Sequence, residues 1–239
     1  MKILALDSSA KTATAALTDG FEILAESSVK TATHSAVLLP MIEAMLKSAD
    51  TRIEDLDLMA VTVGPGSFTG VRIGVSTVKG LAFVHNTPCI GVSSLEGMAY
   101  NFAGIEGLIV PVIDARRGTV FTAVFRTDAQ GEVERLTEDA QLSVEELLSL
   151  LKDYPDERVY FTGDAYELLA NHPDRPVLTA MTPAKLRAQS AYGVAARAYE
   201  IRSAAEEASV EDFTDAALIP VYLKKSQAER EREERLKAE

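Results

Sequence analysis

A glycine-rich segment between a predicted strand and a predicted helix is the strongest chemical feature of the sequence. Residues 64–72 read GPGSFTGVR, with glycines at the first, third and seventh positions. Glycine lets a backbone approach a ligand closely, and the free N–H groups at the start of the following helix favour an anion. The segment lacks the Lys-Ser/Thr pair of a Walker A loop and the GxGxxG spacing of a dinucleotide fingerprint. It therefore predicts either an anion site or a tight turn without a ligand.

Two aspartates occupy matching positions at the ends of predicted strands. Asp7 closes the apolar run that begins at Ile3, and Asp114 closes a similar run, IVPVID. A strand-ending carboxylate either binds a metal ion or water in a cleft, or caps the turn that follows it. In a two-lobed protein both aspartates would face the cleft between the lobes. The predicted anion or nucleotide site comprises Asp7, Ser8, Ser9, Gly64, Gly66, Ser67, Thr69, Gly70, Arg72, Asp114 and Arg116.

Other catalytic chemistries find little support in the sequence. The histidines His34, His85 and His172 are scattered without an i, i+4 pair, so a zinc-type site is not expected. No serine stands in a nucleophile elbow, which argues against a hydrolase triad. The single cysteine, Cys89, excludes an internal disulfide framework and favours a reducing compartment.

Composition and charge predict a cytoplasmic protein that does not bind nucleic acid unaided. The chain has 24 basic and 36 acidic residues, a net charge of -12, so its overall field repels polyanions. A role in nucleic-acid chemistry would need a basic partner. No apolar run approaches the roughly 18 residues of a membrane span. The opening residues have the pattern of a strand and not of a secretory leader.

A repeated unit predicts two lobes of related fold. Residues 3–18 read as a strand, a terminal aspartate, a short polar turn and a second strand, and residues 109–125 repeat this order. Internal duplication near half-length is typical of paired lobes, each with its own sheet. We predict a first lobe over residues 1–106, to which part of the C-terminal region can be added. A second lobe covers 107–223, and a charged tail follows over 224–239.

Hydrophobic periodicity places further elements around this repeat. It predicts a helix over 35–48, with Pro40 either in its first turn or at a kink, and a helix over 71–84. The other predicted elements are strands at 22–28, 58–63, 89–92 and 158–162, and helices at 143–152, from 164, and at 183–208. The apolar stripe of the first helix is wider than one core usually needs. Burial in the protein's own core and contact with a partner helix both remain open.

Several motifs resemble those of the bacterial TsaB family. They are LDSS at 6–9, GPGSFTGVR at 64–72, GVSSLEG at 91–97, DARRG at 114–118 and PVYLKK at 220–225. The resemblance implies an α/β, two-lobed actin-like ATPase fold, also called ASKHA or ribonuclease H-like, with mixed sheets flanked by helices. It also implies a non-catalytic subunit that activates TsaD, together with TsaE. That system places a threonylcarbamoyl group on N6 of adenosine 37 in tRNAs reading codons that begin with A.

The resemblance further implies that this subunit lacks a catalytic metal. Catalytic relatives carry H-x-x-x-H where this chain has Ser94 and Met98, and these side chains cannot replace two imidazoles. Active members of the superfold also place Gly and Thr after the first aspartate, where Ser8 and Ser9 stand here. We therefore expect no metal, no catalytic residue and no cofactor of its own, with ATP or ADP bound by the assembly.

The expected partner surface lies on the helices of the first lobe. The resemblance implies a heterodimer with TsaD, contact with TsaE, tRNA binding only through the complex, and a homodimer on the same patch when TsaD is absent. The predicted interface residues are Val37, Leu38, Met41, Ile42, Met45, Phe68, Val75 and Val78. On this interpretation, a charge at Leu38 or Met45 abolishes TsaD binding and leaves the fold intact.

Three alternatives remain open at this stage. The chain could be a small-molecule kinase or ATPase that uses the 64–70 loop with Asp7 and Asp114. It could be a metallopeptidase-like protein, a reading that the absent histidine pair weakens. It could also be a scaffold without a role in tRNA modification.

Overall fold

The first lobe is built on a five-stranded mixed sheet. The computed structural model describes residues 1–205 and 213–223. The strands are β1 (Lys2–Asp7), β2 (Thr12–Asp19), β3 (Glu22–Lys30), β4 (Leu58–Gly64) and β5 (Cys89–Ser93), in the order β3-β2-β1-β4-β5. The first three strands form an antiparallel meander, as predicted, and β4 and β5 continue the sheet in parallel.

Alternate residues of this sheet face two different helical layers. Helices α1 (His34–Ser48) and α2 (Phe68–Phe83) cover the face that carries Leu4 and Leu6. A third helix, α3 (Ser94–Tyr100), follows β5 and is capped by the Ser93 hydroxyl. Helix α1 already begins at His34, so Pro40 falls in its second turn and not in its first.

The second lobe is built on a six-stranded sheet around one long central strand. Its strands are β6 (Gly107–Arg116), β7 (Thr119–Thr122), β8 (Phe125–Thr127), β9 (Val133–Arg135), β10 (Ala140–Ser143) and β11 (Val159–Thr162). The single strand predicted over 119–125 is in fact split into β7 and β8. Both pair antiparallel with β6 in one continuous register. The break occurs because the Val124 backbone bonds instead to the Thr137 hydroxyl and to Leu136 N–H.

Three helices complete the described part of the chain. They are α4 (Val144–Leu150), α5 (Tyr166–Ala170) and α6 (Ala191–Ala204). Ser143 and Glu146 form a capping box that fixes the start of α4. The helix predicted over 183–208 was placed too early, because Ser190 caps α6 and a separate 3-10 turn precedes it. None of the described helices is long and apolar enough to cross a membrane.

Helix α6 belongs structurally to the first lobe. Its apolar residues Val194 and Ala198 pack on the sheet face that carries Ile3 and Ala5, opposite α1 and α2. The first sheet is therefore covered on both faces, and one of its covers comes from the C-terminal region. The numerical lobe boundaries stay predictions, and the predicted tail over 224–239 lies outside the described residues.

The lobes share an apolar core and a charged network. Leu95, Met98 and Phe102 of the first lobe pack with Ile113 and Phe125 of the second. Above this core, the Glu96 carboxylate lies 3.0 Å from Arg197 and 3.6 Å from Arg135 of β9. Arg135 also pairs with Asp139, which accepts a 2.6 Å hydrogen bond from the Ser93 hydroxyl. These contacts fix the second lobe against the start of α3.

Candidate functional site

A cleft of about 600 Å³ lies between the lobes and contains much of the predicted site. Seven of the predicted anion-site residues line it: Ser9, Gly66, Ser67, Thr69, Gly70, Asp114 and Arg116. Asp7, Ser8, Gly64 and Arg72 are not among the lining residues. Lys11, His34, Asp164 and Tyr222 also line the cleft, although sequence reasoning did not single them out. They come from four separate segments that only the tertiary fold brings together.

Asp7 does not face the cleft, which corrects the prediction made for it. Its side chain is buried, and one carboxylate oxygen accepts hydrogen bonds from Ser9 N, the Ser9 hydroxyl and the Thr62 hydroxyl, at 2.8, 2.7 and 3.0 Å. Burial raises the pKa of Asp7 above its ordinary value, and these hydrogen bonds oppose the rise only in part. Asp7 therefore fixes the turn after β1, and Asp114 alone of the pair lines the cleft.

The burial of Asp7 predicts a specific pH dependence of stability. Because its pKa is raised in the folded state, the folded protein holds this proton at pH values where the unfolded chain has lost it. The Asp7 contribution to the free energy of unfolding should therefore fall as pH rises from about 3.8 through the folded pKa. Asp7→Asn retains an oxygen for all three donors and should remove this contribution.

Denaturant unfolding of wild type and Asp7→Asn between pH 4 and pH 8 measures the effect. We expect the variant to gain stability relative to wild type as pH rises. Asp7→Ala is the contrasting variant, since it leaves buried donors unpaired and should cost at least about 2 kcal/mol at every pH. A constant difference between wild type and Asp7→Asn across the range would contradict the raised pKa.

The glycine-rich loop is filled by the protein's own chain. A side chain at Gly66 or Gly70 would collide with the carbonyl oxygens of Ser9 and Ser8, and one at Gly64 would collide with the carbonyl of Val221. The turn after β1 is also tied to this loop by a 2.6 Å hydrogen bond from Ser67 N to Ser9 O and by the Ser8 hydroxyl on Gly70 O. Close packing within the lobe therefore accounts for these glycines without a ligand.

Arg72 is held by two aromatic side chains, Phe68 and Tyr222, that themselves line the cleft. Its guanidinium carbon lies 3.9 Å from the ring centre of Phe68, and its Nε donates a 2.8 Å hydrogen bond to the Tyr222 hydroxyl. The Phe68 and Tyr222 rings are 4.7 Å apart. Phe68, which we predicted to lie in a partner interface, thus packs against the C-terminal segment, and Arg72 itself does not line the cleft.

The charges that line the cleft are paired with one another. Lys11 Nζ lies 3.5 Å from an Asp164 oxygen, and the Arg116 guanidinium lies 3.5 Å from Asp114. Asp164 also accepts a 2.8 Å hydrogen bond from Asp114 N, which links the two pairs. The cleft therefore offers balanced charge and not a set of free cations for a phosphate chain.

The donor set on α3 does not fit the metal site that the family resemblance implies for catalytic relatives. Ser94 and Met98 lie one helical turn apart and are both buried, Met98 within the core shared by the lobes. A hydroxyl and a thioether are poor ligands for a hard or borderline metal ion. Within residues 1–205 and 213–223, no group of three or more His, Cys, Asp or Glu side chains is arranged to hold a metal.

The apolar stripes of α1 and α2 are buried in the first lobe, which corrects the predicted partner surface. Seven of the eight predicted interface residues belong to that core or pack against it: Val37, Leu38, Met41, Ile42, Met45, Val75 and Val78. The six core members have little surface left for a partner, whereas Val37 is only half-buried. The outward faces of the two helices are formed by other residues, among them Ala36, Leu39, Ala44, Gly80 and Phe83. We call these five residues the α1–α2 face.

Comparison with known proteins identifies close relatives. The family model described as "TsaD: tRNA N6-adenosine threonylcarbamoyltransferase" matches residues 27–231. The tRNA threonylcarbamoyladenosine biosynthesis protein TsaB of Bacillus subtilis is 38% identical over 164 residues, which are 68% of this chain and 71% of the relative. Two further TsaB proteins, of Escherichia coli and Haemophilus influenzae, are matched over 58% and 52% of their own lengths.

Solved structures confirm the predicted fold class. A Pseudomonas aeruginosa protein described as similar to peptidase YEAZ superposes with a TM-score of 0.75 at 26% identity, covering 93% of this chain and 99% of that one. Component A of the Acidaminococcus fermentans (R)-2-hydroxyglutaryl-CoA dehydratase gives a TM-score of 0.51 at 12% identity, covering 85% and 99%, a likeness of fold alone. The α/β, two-lobed actin-like architecture is thereby confirmed.

Proposed function

The chain belongs to the TsaB family, and from this premise we propose that it is the non-catalytic subunit required for threonylcarbamoylation of tRNA. In this proposal it acts as scaffold and activator of TsaD, together with TsaE. The modified position is N6 of adenosine 37 in tRNAs that read codons beginning with A.

One observation supports the inference that this subunit is non-catalytic and that its partner catalyses the reaction. The chain matches a transferase family model along most of its length. Its α3 carries Ser94 and Met98 at the positions where the family resemblance implies two metal-binding imidazoles in the catalytic relatives. A Lewis-acid site cannot be assembled from these groups. The combination supports a subunit that keeps the shape of the transferase and leaves the reaction to its partner.

We place TsaD on the α1–α2 face. Leu39 is 50% exposed and Phe83 is 74% exposed, and the small residues Ala44 and Gly80 are exposed on the same two helices. Small side chains let helices approach closely, and exposed apolar area is typical of a partner surface. Helices of a homologue could meet this face in a four-helix arrangement. A second copy of the chain could use the same face when TsaD is absent.

We further propose that this subunit binds no nucleotide of its own and does not bind tRNA directly. The paired charges of Lys11 with Asp164 and of Arg116 with Asp114 support a cleft without a nucleotide of its own. The net charge of -12 supports tRNA contact only through the complex. Titration calorimetry with Mg-ATP is expected to show no binding. Tight binding with turnover would instead favour a kinase or ATPase.

Reconstitution tests the proposed function directly. TsaD and TsaE of the same organism, tRNA, ATP and a source of threonylcarbamoyl-adenylate are combined with and without this chain, and modified adenosine is quantified by mass spectrometry. We expect modification to depend on the chain and to vanish when TsaD is omitted. Modification that is indifferent to the chain would refute the proposal.

A further inference from the structure

Three side chains form an ordered stack at the N-terminal end of α2. The Arg72 guanidinium lies over the Phe68 ring at 3.9 Å and 5.7 Å from the Tyr222 ring centre. We call Phe68, Arg72 and Tyr222 the aromatic–arginine stack. A cation over the face of an aromatic ring retains its charge, and partial desolvation strengthens its attraction to the ring.

The surrounding backbone holds this stack in place. Ser67 caps α2 by accepting a hydrogen bond from Gly70 N, which fixes Phe68 in the first turn. On the other side, Val221 N donates a 2.7 Å hydrogen bond to Val63 O, where the pairing of β4 with β5 shifts register. Leu218 is buried in the first-lobe core and anchors the same C-terminal segment. The stack is therefore built from two anchored segments.

The stack is continuous with the α1–α2 face. Arg72, Ser76, Gly80 and Phe83 are all exposed and follow one another at intervals of four, four and three residues, so they lie on one side of α2. Arg72 is exposed and does not line the cleft. Because Phe68 and Tyr222 do line the cleft, the stack lies where the cleft meets the outward side of α2, beside the surface proposed for TsaD.

The chemistry of the stack determines which chemical group of a partner it can bind. Only the Nε donor of Arg72 has an acceptor among the hydrogen bonds of the described residues, the Tyr222 hydroxyl. The planar guanidinium is thus pre-oriented, with further donors free to bind a carboxylate. The exposed apolar side chains of Ile219 and Val221 adjoin it in sequence. A carboxylate flanked by apolar groups is the complementary partner feature.

We propose that the aromatic–arginine stack is an anchor of the TsaD interface that receives a carboxylate side chain of TsaD. This inference rests on the proposed function, since it assumes that TsaD covers the α1–α2 face. Arginine and tyrosine are over-represented among residues that dominate interface energies, and a pre-ordered arginine loses little entropy on binding. The stack then confers specificity for a partner with an acidic group at this place.

Interferometry with the full-length chain and TsaD of the same organism tests the anchor. We expect Arg72→Ala to raise Kd at least about 10-fold and Arg72→Lys to restore binding only in part, because lysine cannot form the planar, bidentate contact. Raising the salt concentration should weaken wild type more than Arg72→Ala. Arg175→Ala, which removes an exposed arginine of the second lobe, is the matched control and should bind like wild type.

The outcomes separate this inference from the proposed function. If Arg72→Ala binds TsaD with wild-type affinity and the same salt dependence, the stack is not an anchor of the interface. If Gly80→Glu loses binding in that same assay, the proposed function still stands. Absence of binding by wild type itself would overturn both. Equal melting temperatures of Arg72→Ala and wild type are required, so that weaker binding is not attributed to a loosened loop.

Discussion

Gly80→Glu is expected to weaken TsaD binding at least about 100-fold without unfolding the protein. No heavy atom lies within 4 Å of the position that a Cβ at Gly80 would occupy, so the fold has room for the new side chain. Replacing glycine inside a helix should even stabilise α2, by roughly 0.5–1 kcal/mol. At the interface, however, the carboxylate would be buried among small and apolar groups without a partner.

The same interferometry assay measures this loss, and reconstituted tRNA modification should fall with it. Ser149→Glu introduces the same charge on the exposed side of α4, in the other lobe, and serves as the control. Circular dichroism melts establish that both variants are folded. If a folded Gly80→Glu protein binds TsaD as tightly as wild type does, the partner surface lies elsewhere.

Leu38→Glu is expected to unfold the protein, whereas Leu39→Glu should fold and lose TsaD binding. Leu38 is only 1% exposed in the first-lobe core, and its neighbour Leu39 is 50% exposed on the outward face of α1. Burying an unpaired carboxylate and losing the leucine side chain should together cost more than about 4 kcal/mol, a large part of the stability of a typical domain. On the outward face, glutamate remains hydrated in the free protein.

Urea unfolding and TsaD binding of the two adjacent variants provide the measurement. Leu38→Ala supplies an uncharged reference, expected to lose about 2–5 kcal/mol through the cavity alone. This pair also decides between the two interpretations of the α1 stripe. A folded Leu38→Glu protein that fails to bind TsaD would indicate that the stripe containing Leu38 is itself the TsaD interface. That result would contradict the structure.

The duplication extends beyond the hydrophobic pattern from which it was predicted, because the two repeats also share a hydrogen bond. Asp7 accepts a hydrogen bond from Ser9 N and Asp114 accepts one from Arg116 N, each at 2.8 Å and two residues along the chain. Both aspartates therefore cap the turn after their strand. Their surroundings differ, since the Thr62 hydroxyl also binds Asp7. The local sequence predicts the turn after each strand, but it does not predict which other residues surround the aspartate.

The predictions of a partner stripe on α1 and of an anion site at the glycine-rich loop failed for the same physical reason. A helical apolar stripe shows that a face is covered, but it does not show whether the cover is the same chain or another. The stripe containing Leu38 and Met45 is covered by the first sheet. In the same way, the glycines at 64 and 66 indicate a close approach, and the approaching groups are Val221 and Ser9. Both covers come from segments distant in sequence, which a local pattern cannot identify.

Helix α6 has a consequence for the order in which the first lobe folds. Among the described residues, the sheet face that carries Ile3 and Ala5 is covered by α6, with Phe213 packed beside it, so during synthesis this face stays exposed to water until α6 has been made. Contacts between such distant segments slow folding, and apolar surface left open in the meantime promotes aggregation. We therefore expect the first lobe, although it is synthesised before the second, to complete its folding only after α6 has been made.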